Sequence, residues 1–168
     1  MCGIVGVINN NGRSVVGDLG NGAHFLQHRG PAYAGLFLFD PVRRRYALER
    51  GEGLADNIFK PLADLQGDLG IAHTRYKTFG SGGTVNAQPF FDAFLGLSLA
   101  HNGHITNVSQ IDAELGQRGQ ALAATCDAEP LLRVLALWIE HFRGEAPEAQ
   151  EKEIFFKAVA EIQKRVTG

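Results

Sequence analysis

Cysteine is scarce in this chain, with two in 168 residues, Cys2 and Cys126. Two are too few for a disulfide framework, and in a reducing compartment both are free thiols. A surplus of either charge is also missing. Lys and Arg number 16 against 18 Asp and Glu, a formal net charge of −2. That balance argues against nucleic acid or an anionic membrane as the main partner. No apolar run approaches the ~20 residues needed to span a bilayer. No leader of basic, apolar and small residues opens the sequence, so the expected location is cytoplasmic. Internal repeats, low-complexity tracts and Pro/Ser-rich linkers are absent too. What remains is one domain's worth of chain with an ordinary globular composition.

The apolar pattern divides this chain into strands followed by helices. Gly3 to Ile8 is apolar on both faces and ends at Asn9-Asn10-Asn11-Gly12, which predicts a central strand and a turn. Val15, Val16, Leu19, Ala23 and Leu26 recur at helical spacing; Gly17, Gly20 and Gly22 weaken that helix and Gly30 can end it. Gly35 to Phe39 and Tyr46 to Glu49 read as a hairpin around Asp40-Pro41. Leu54 to Leu65 suggests a short helix interrupted by Pro61. Leu69 to Thr74 predicts a second buried strand, and Phe94 to Ala100 a third. Asn107 with Gln110 reads as a capping box. Leu131 to Phe142 is a strongly apolar helix with Pro130 in its first turn. Phe155, Ala158, Val159, Ile162 and Val166 form a last helical stripe. The order predicts a layered α+β domain. Ending so soon after a helix, with few strands, it is expected to be incomplete at its C-terminus.

Chemistry concentrates first at the start. Removal of the initiator Met, usual when residue two is small, would leave Cys2 with an α-amine and a thiol on one residue. An α-amine has a pKa of about 7.7–8.0 and a free thiol about 8.5, so the amine can accept the thiol's proton near neutral pH. Gly3 lets a neighbouring group come close. The plainer alternative is a strand carrying a small apolar Cys.

Four loop segments hold further polar residues that a core does not require. His28-Arg29-Gly30 closes the first helix. In His73-Thr74-Arg75-Tyr76-Lys77-Thr78, Arg75 leaves a strand end and is placed to grip a carboxylate in two-pronged fashion; its alternative is a surface ion pair. In His101-Asn102-Gly103-His104, the Asn amide and the Gly N–H offer two adjacent donors for an oxyanion; the alternative is an Asn-Gly hairpin turn. Asp127, beside Cys126, could accept from an ammonium group or simply cap a helix. Cys126 itself reads as a small buried residue. His73, His101 and His104 raise a metal reading, but no Cys/His cluster has ligand spacing, so neither metal nor other cofactor is expected. Ser81-Gly82-Gly83-Thr84 lacks the Lys of a phosphate loop and reads as a flexible turn.

Taken together and in order, these segments resemble the class II glutamine amidotransferases, the N-terminal-nucleophile (Ntn) glutaminases. The nearest branch is the glutaminase domain of amidophosphoribosyltransferase. The resemblance is carried by Met1-Cys2-Gly3-Ile4-Val5-Gly6, Leu26-Gln27-His28-Arg29-Gly30, Arg75-Tyr76 with Thr78, Gly80 and Ser81, Asn86-Ala87-Gln88-Pro89-Phe90, Ala100-His101-Asn102-Gly103 with Thr106-Asn107, and Asp127 with Glu129. After Gly30 the chain reads Pro31-Ala32-Tyr33, where the class usually has an acidic and a small hydroxyl residue.

The resemblance implies an Ntn-hydrolase four-layer αββα sandwich over residues 1–168, truncated, with no phosphoribosyltransferase domain. It implies that Cys2 attacks the side-chain amide of glutamine, that Asn102 and the Gly103 N–H hold the oxyanion, that Arg75 and Thr78 take the α-carboxylate and Asp127 the α-ammonium. Arg29, Gly30 and His101 would support the site. The implied partners are glutamine and a synthase or transferase domain or subunit that receives ammonia, most simply the amidotransferase of purine biosynthesis. Nucleic acid and membrane are not expected, and homo-oligomerisation stays open. The alternatives are a stand-alone subunit serving another synthase and a non-catalytic glutamine-binding domain.

Overall fold

A computed structural model describes residues 2–62, 64–76 and 83–168. They divide into two compact units, the first running to Phe91 and resuming over Ser98–Asn102, the second comprising Asp92–Leu97 and Gly103–Gly168.

The first unit is an antiparallel sheet under a helix. Its strands are β1 (Gly3–Ile8), β2 (Tyr33–Asp40), β3 (Arg45–Glu52) and β4 (Leu69–Arg75), in the order β1-β4-β2-β3. Side chains alternate across a strand. Ala34, Leu36 and Leu38 on β2 and Ala72 on β4 therefore share one face. They form the core with Val16, Leu19 and Ala23 of helix α1 (Val16–Leu26) and with Val15 before it. Burial of this stripe carries α1 despite its three glycines, since tertiary packing supplies most helix stability in proteins. The other face carries Gly35 and Phe37 on β2 and His73 on β4, with Gly35 and His73 directly opposite each other. Phe37 there stacks with Tyr46 and Phe91.

Three expectations shift. β1 is not central: among the described residues it is an edge strand paired with β4 alone. Val5 and Val7 pack on the α1 core, whereas Ile4 and Ile8 on the opposite face are exposed. Apolar composition reports what can face a strand, and says little about how many strands flank it. The segment after the hairpin yields one short turn of helix, α2 (Ala55–Ile58), and a 3-10 turn at Lys60–Leu62. The strand expected over Phe94–Ala100 forms only at Leu97–Leu99 (β6), the second arm of a hairpin whose first arm, β5 (Phe90–Asp92), precedes the expected range. Asp92 Oδ1 accepts the N–H groups of Phe94 and Leu95, and Gly96 has φ 67°, so this stretch turns and leaves Phe94 exposed.

The second unit is helical: α3 (Val108–Gln117), α4 (Ala128–Glu145) and α5 (Glu151–Arg165). Its core joins Ile105, Ile111, Leu115 and Val134, with Trp138, Ile162 and Val166 against them. The Arg165 guanidinium lies 4.5 Å from the Trp138 ring centre. Asn107 precedes α3 without the expected box. Its amide donates to the Arg165 carbonyl and its Oδ1 accepts from the Thr167 N–H, so the side chain ties α3 to the end of α5. No helix among the described residues is long and apolar enough to cross a membrane.

Candidate functional site

In the first unit the chain start meets residues far along the sequence. Asn102 donates its side-chain amide to the backbone carbonyl of Cys2 at 3.0 Å, across 100 positions. Cys2 is half-buried and Asn102 exposed. The Asn-Gly hairpin alternative does not hold: β6 ends at Leu99, and no strand follows Gly103 among the described residues. The Asn102 amide is therefore not consumed by a turn and lies within reach of the residue that carries the thiol.

Beside this pair, α1 runs into a 3-10 turn at Gln27–Arg29 that ends at Gly30. A Cβ on Gly30 would stand 2.7 Å from backbone atoms of Thr74 and Arg75. Only a residue without a side chain fits. Pro31 then bridges Arg75, and the Ala32 N–H donates to the Arg75 carbonyl at 3.1 Å. Gly3 is equally hemmed in, with Leu26 Cβ 2.7 Å and Thr74 Oγ1 2.8 Å from where its Cβ would be. The Thr74 hydroxyl donates to the Leu26 carbonyl. The end of β4, the end of α1 and the start of β1 are thus packed as one block, with half-buried Arg29 on it. Gly30→Ala should destabilise the protein by about 2 kcal/mol, the scale of overpacking against backbone that cannot give way. Chemical denaturation measures it; an unchanged midpoint would mean that Gly30 has room.

Arg75 leaves that block half-buried and forms no ion pair among the described residues, so the surface-pair alternative is not realised there. Thr78 lies outside the described residues. Gly103 and Asp127 belong to the second unit. Gly103 is exposed. Asp127 stands at the N-cap of α4, but its carboxylate caps no helix amide; Oδ2 instead accepts the Ile105 N–H at 3.0 Å. Cys126, expected buried, is half-buried. Among the described residues no three His, Cys, Asp or Glu side chains gather as a metal site would need.

Apart from the metal reading of His73 and the run Asn86-Ala87-Gln88-Pro89-Phe90 that carries the resemblance, two residues, His73 and Gln88, were assigned no part in the site. His73 is fully buried and neither ring nitrogen completes a hydrogen bond among the described residues. Burial foremost, then the Arg75 charge and His101, push its pKa down to about 4, against a smaller opposing pull from the His101 backbone. It is neutral at pH 7. Gln88, also fully buried, accepts the His101 N–H on Oε1 at 2.6 Å. The available signal was polarity where the pattern was otherwise apolar.

His73 also makes stability depend on pH. An unfolded His titrates near 6.5, so between pH 6.5 and 4 the unfolded chain binds more protons than the folded one. The contribution is complete above pH 6.5 and is lost as pH falls toward 4, about 3 kcal/mol in all. Denaturation midpoints at pH 7 and 4.5 should differ less in His73→Leu than in the parent. Equal differences would mean that the imidazole is not held neutral.

A family model described as "Glutamine amidotransferase domain" matches residues 73–146. These matches support a class II glutamine amidotransferase domain of α+β Ntn-hydrolase fold in this chain. Curated relatives that it matches include amidophosphoribosyltransferases. The enzyme of Pasteurella multocida is 35% identical over 172 residues, covering 100% of this chain and 33% of that protein. The Escherichia coli enzyme is 33% identical with the same coverage. Among solved structures, the glutamine phosphoribosylpyrophosphate amidotransferase of Bacillus subtilis with ADP and GMP aligns with a TM-score of 0.72 at 25% identity, covering 96% of this chain and 33% of that one. A structure described as the allosteric regulatory enzyme of purine biosynthesis gives 0.71 at 26%, with the same coverage. The chain spans about a third of the length of the relatives it matches.

Proposed function

We propose that this chain hydrolyses the side-chain amide of glutamine at Cys2 and passes the ammonia to a synthase. The observation that carries the reading is the Asn102 amide on the Cys2 carbonyl, which sets an oxyanion donor beside the nucleophile's own residue. Once Met1 is removed, the Cys2 amine takes the thiol proton and the sulfur attacks the amide carbon. The tetrahedral oxyanion is held by Asn102 and the Gly103 N–H. The intermediate collapses to a γ-glutamyl thioester as the amine returns the proton to the leaving nitrogen, releasing ammonia. Water, deprotonated by the same amine, then opens the thioester to give glutamate and the free thiol. Arg75 and Thr78 bind the substrate α-carboxylate and Asp127 its α-ammonium; Arg29, Gly30 and His101 hold the frame.

Residues 1–168 act as the glutaminase domain of a longer amidophosphoribosyltransferase of purine biosynthesis, in the cytoplasm. The names and lengths of the relatives support this, and the acceptor site then lies on a domain or subunit outside these residues. A glutamine-like diazo-ketone is the direct test. Mass spectrometry should find one adduct, on Cys2. An adduct on Cys126 instead, or none while glutamine is being hydrolysed, would overturn the assignment.

A further inference from the structure

The Asn102 donor sits on a segment without regular structure. β6 ends at Leu99, and residues 100–102 belong to no strand or helix. A donor on a loose segment would lose much of its effect, because oxyanion stabilisation depends on preorganisation. The segment is tied from beneath by a buried side chain. Gln88 Oε1 accepts the N–H of His101, the residue before Asn102, at 2.6 Å.

Gln88 is itself clamped to the sheet. Its backbone carbonyl lies where a Cβ on Gly35 of β2 would sit, so only glycine there admits it. The Arg50 guanidinium of β3 donates to the adjacent Ala87 carbonyl at 2.9 Å and lies 5.5 Å from the Phe90 ring centre. The path from the sheet interior to the chain start is therefore Gly35, Gln88, His101, Asn102, Cys2. Each link is a contact or bond within the first unit.

We infer that Gln88 is a positioning residue for the glutaminase reaction, fixing the Asn102 oxyanion donor by holding the His101 amide. This rests on the reading of Asn102 given above. Gln88 is fully buried and its side chain bonds the His101 backbone, so its loss should act on turnover and leave binding nearly alone. Removing its acceptor also leaves the part-buried His101 N–H without this bond.

The test compares Gln88→Leu, which has no acceptor, with Gln88→Glu, which keeps one, in the full protein. Gln88→Leu should lower kcat for glutamine hydrolysis 10- to 100-fold with KM within twofold, and Gln88→Glu should recover most of that loss. Unchanged kcat in Gln88→Leu, a loss carried by KM, or an equal loss in both variants would overturn the inference. A second readout needs no variant. In the parent protein the His101 amide should exchange with solvent at least 100-fold more slowly than the Gly103 amide; equal rates would refute the tether even if Gln88→Leu fails to fold. Failure of the underlying reading looks different, because Asn102→Ala would then keep its kcat, or Cys2→Ala its activity, whatever Gln88 does.

Discussion

Cys2→Ala should reduce glutamine hydrolysis to background while leaving the fold intact. The thiol is the group that attacks glutamine in the proposed chemistry, and removing an enzymatic nucleophile can cost up to about 10⁶ in kcat. Cys2 is half-buried, and the Asn102 bond is made to its backbone carbonyl, so the substitution leaves that bond in place. Glutamine binding should therefore survive in the variant. The amine has its own arm. A protein that keeps a residue before Cys2 should be as inactive as Cys2→Ala, because an amide nitrogen cannot take the thiol's proton. Ammonia release and calorimetric glutamine binding separate the two steps. Turnover within tenfold of the parent, in either protein, would show that the attacking group lies elsewhere.

Asn102→Ala should lower kcat by about 10²–10³, the usual loss when one oxyanion donor is removed. Its KM should stay within a few-fold, since the donor meets charge that develops only in the transition state. Asn102→Asp, which puts a carboxylate where negative charge forms, should be at least as damaging. If Asn102→Ala instead raises KM and spares kcat, the side chain binds ground-state substrate. If neither constant moves, its bond to Cys2 only fastens the chain end. Together with the Gln88 variants this forms a graded series, with loss of the donor greater than loss of the residue that aims it.

Much of the site could be read along the chain because its chemistry depends on residue type. A Cys at position two, an Arg leaving a strand end and an Asn beside a Gly each narrow what a residue can do. Apolar patterning likewise located β1, α1, β4 and the last two helices, since the face a residue presents follows from local geometry. The capping box at Asn107 and the strand at Phe94 failed where a distant partner or a short turn outcompeted the local signal. Asn107 is drawn to Arg165 and Thr167, and Asp92 turns the chain before Phe94 can extend.

The rest was settled by packing between segments that no local pattern relates. That Gly30 must be glycine depends on the backbone of Thr74 and Arg75 coming within van der Waals range. That His73 is neutral depends on burial on a sheet face where Gly35 of β2 and Ile4 of β1 lie opposite it. That Asn102 is aimed at all depends on Gln88, held over Gly35 by contacts spanning half the unit. A sequence states which groups are available and which faces are apolar. Which of them meet is decided by the one arrangement that satisfies all the faces at once, so those contacts appear only once the whole unit has folded.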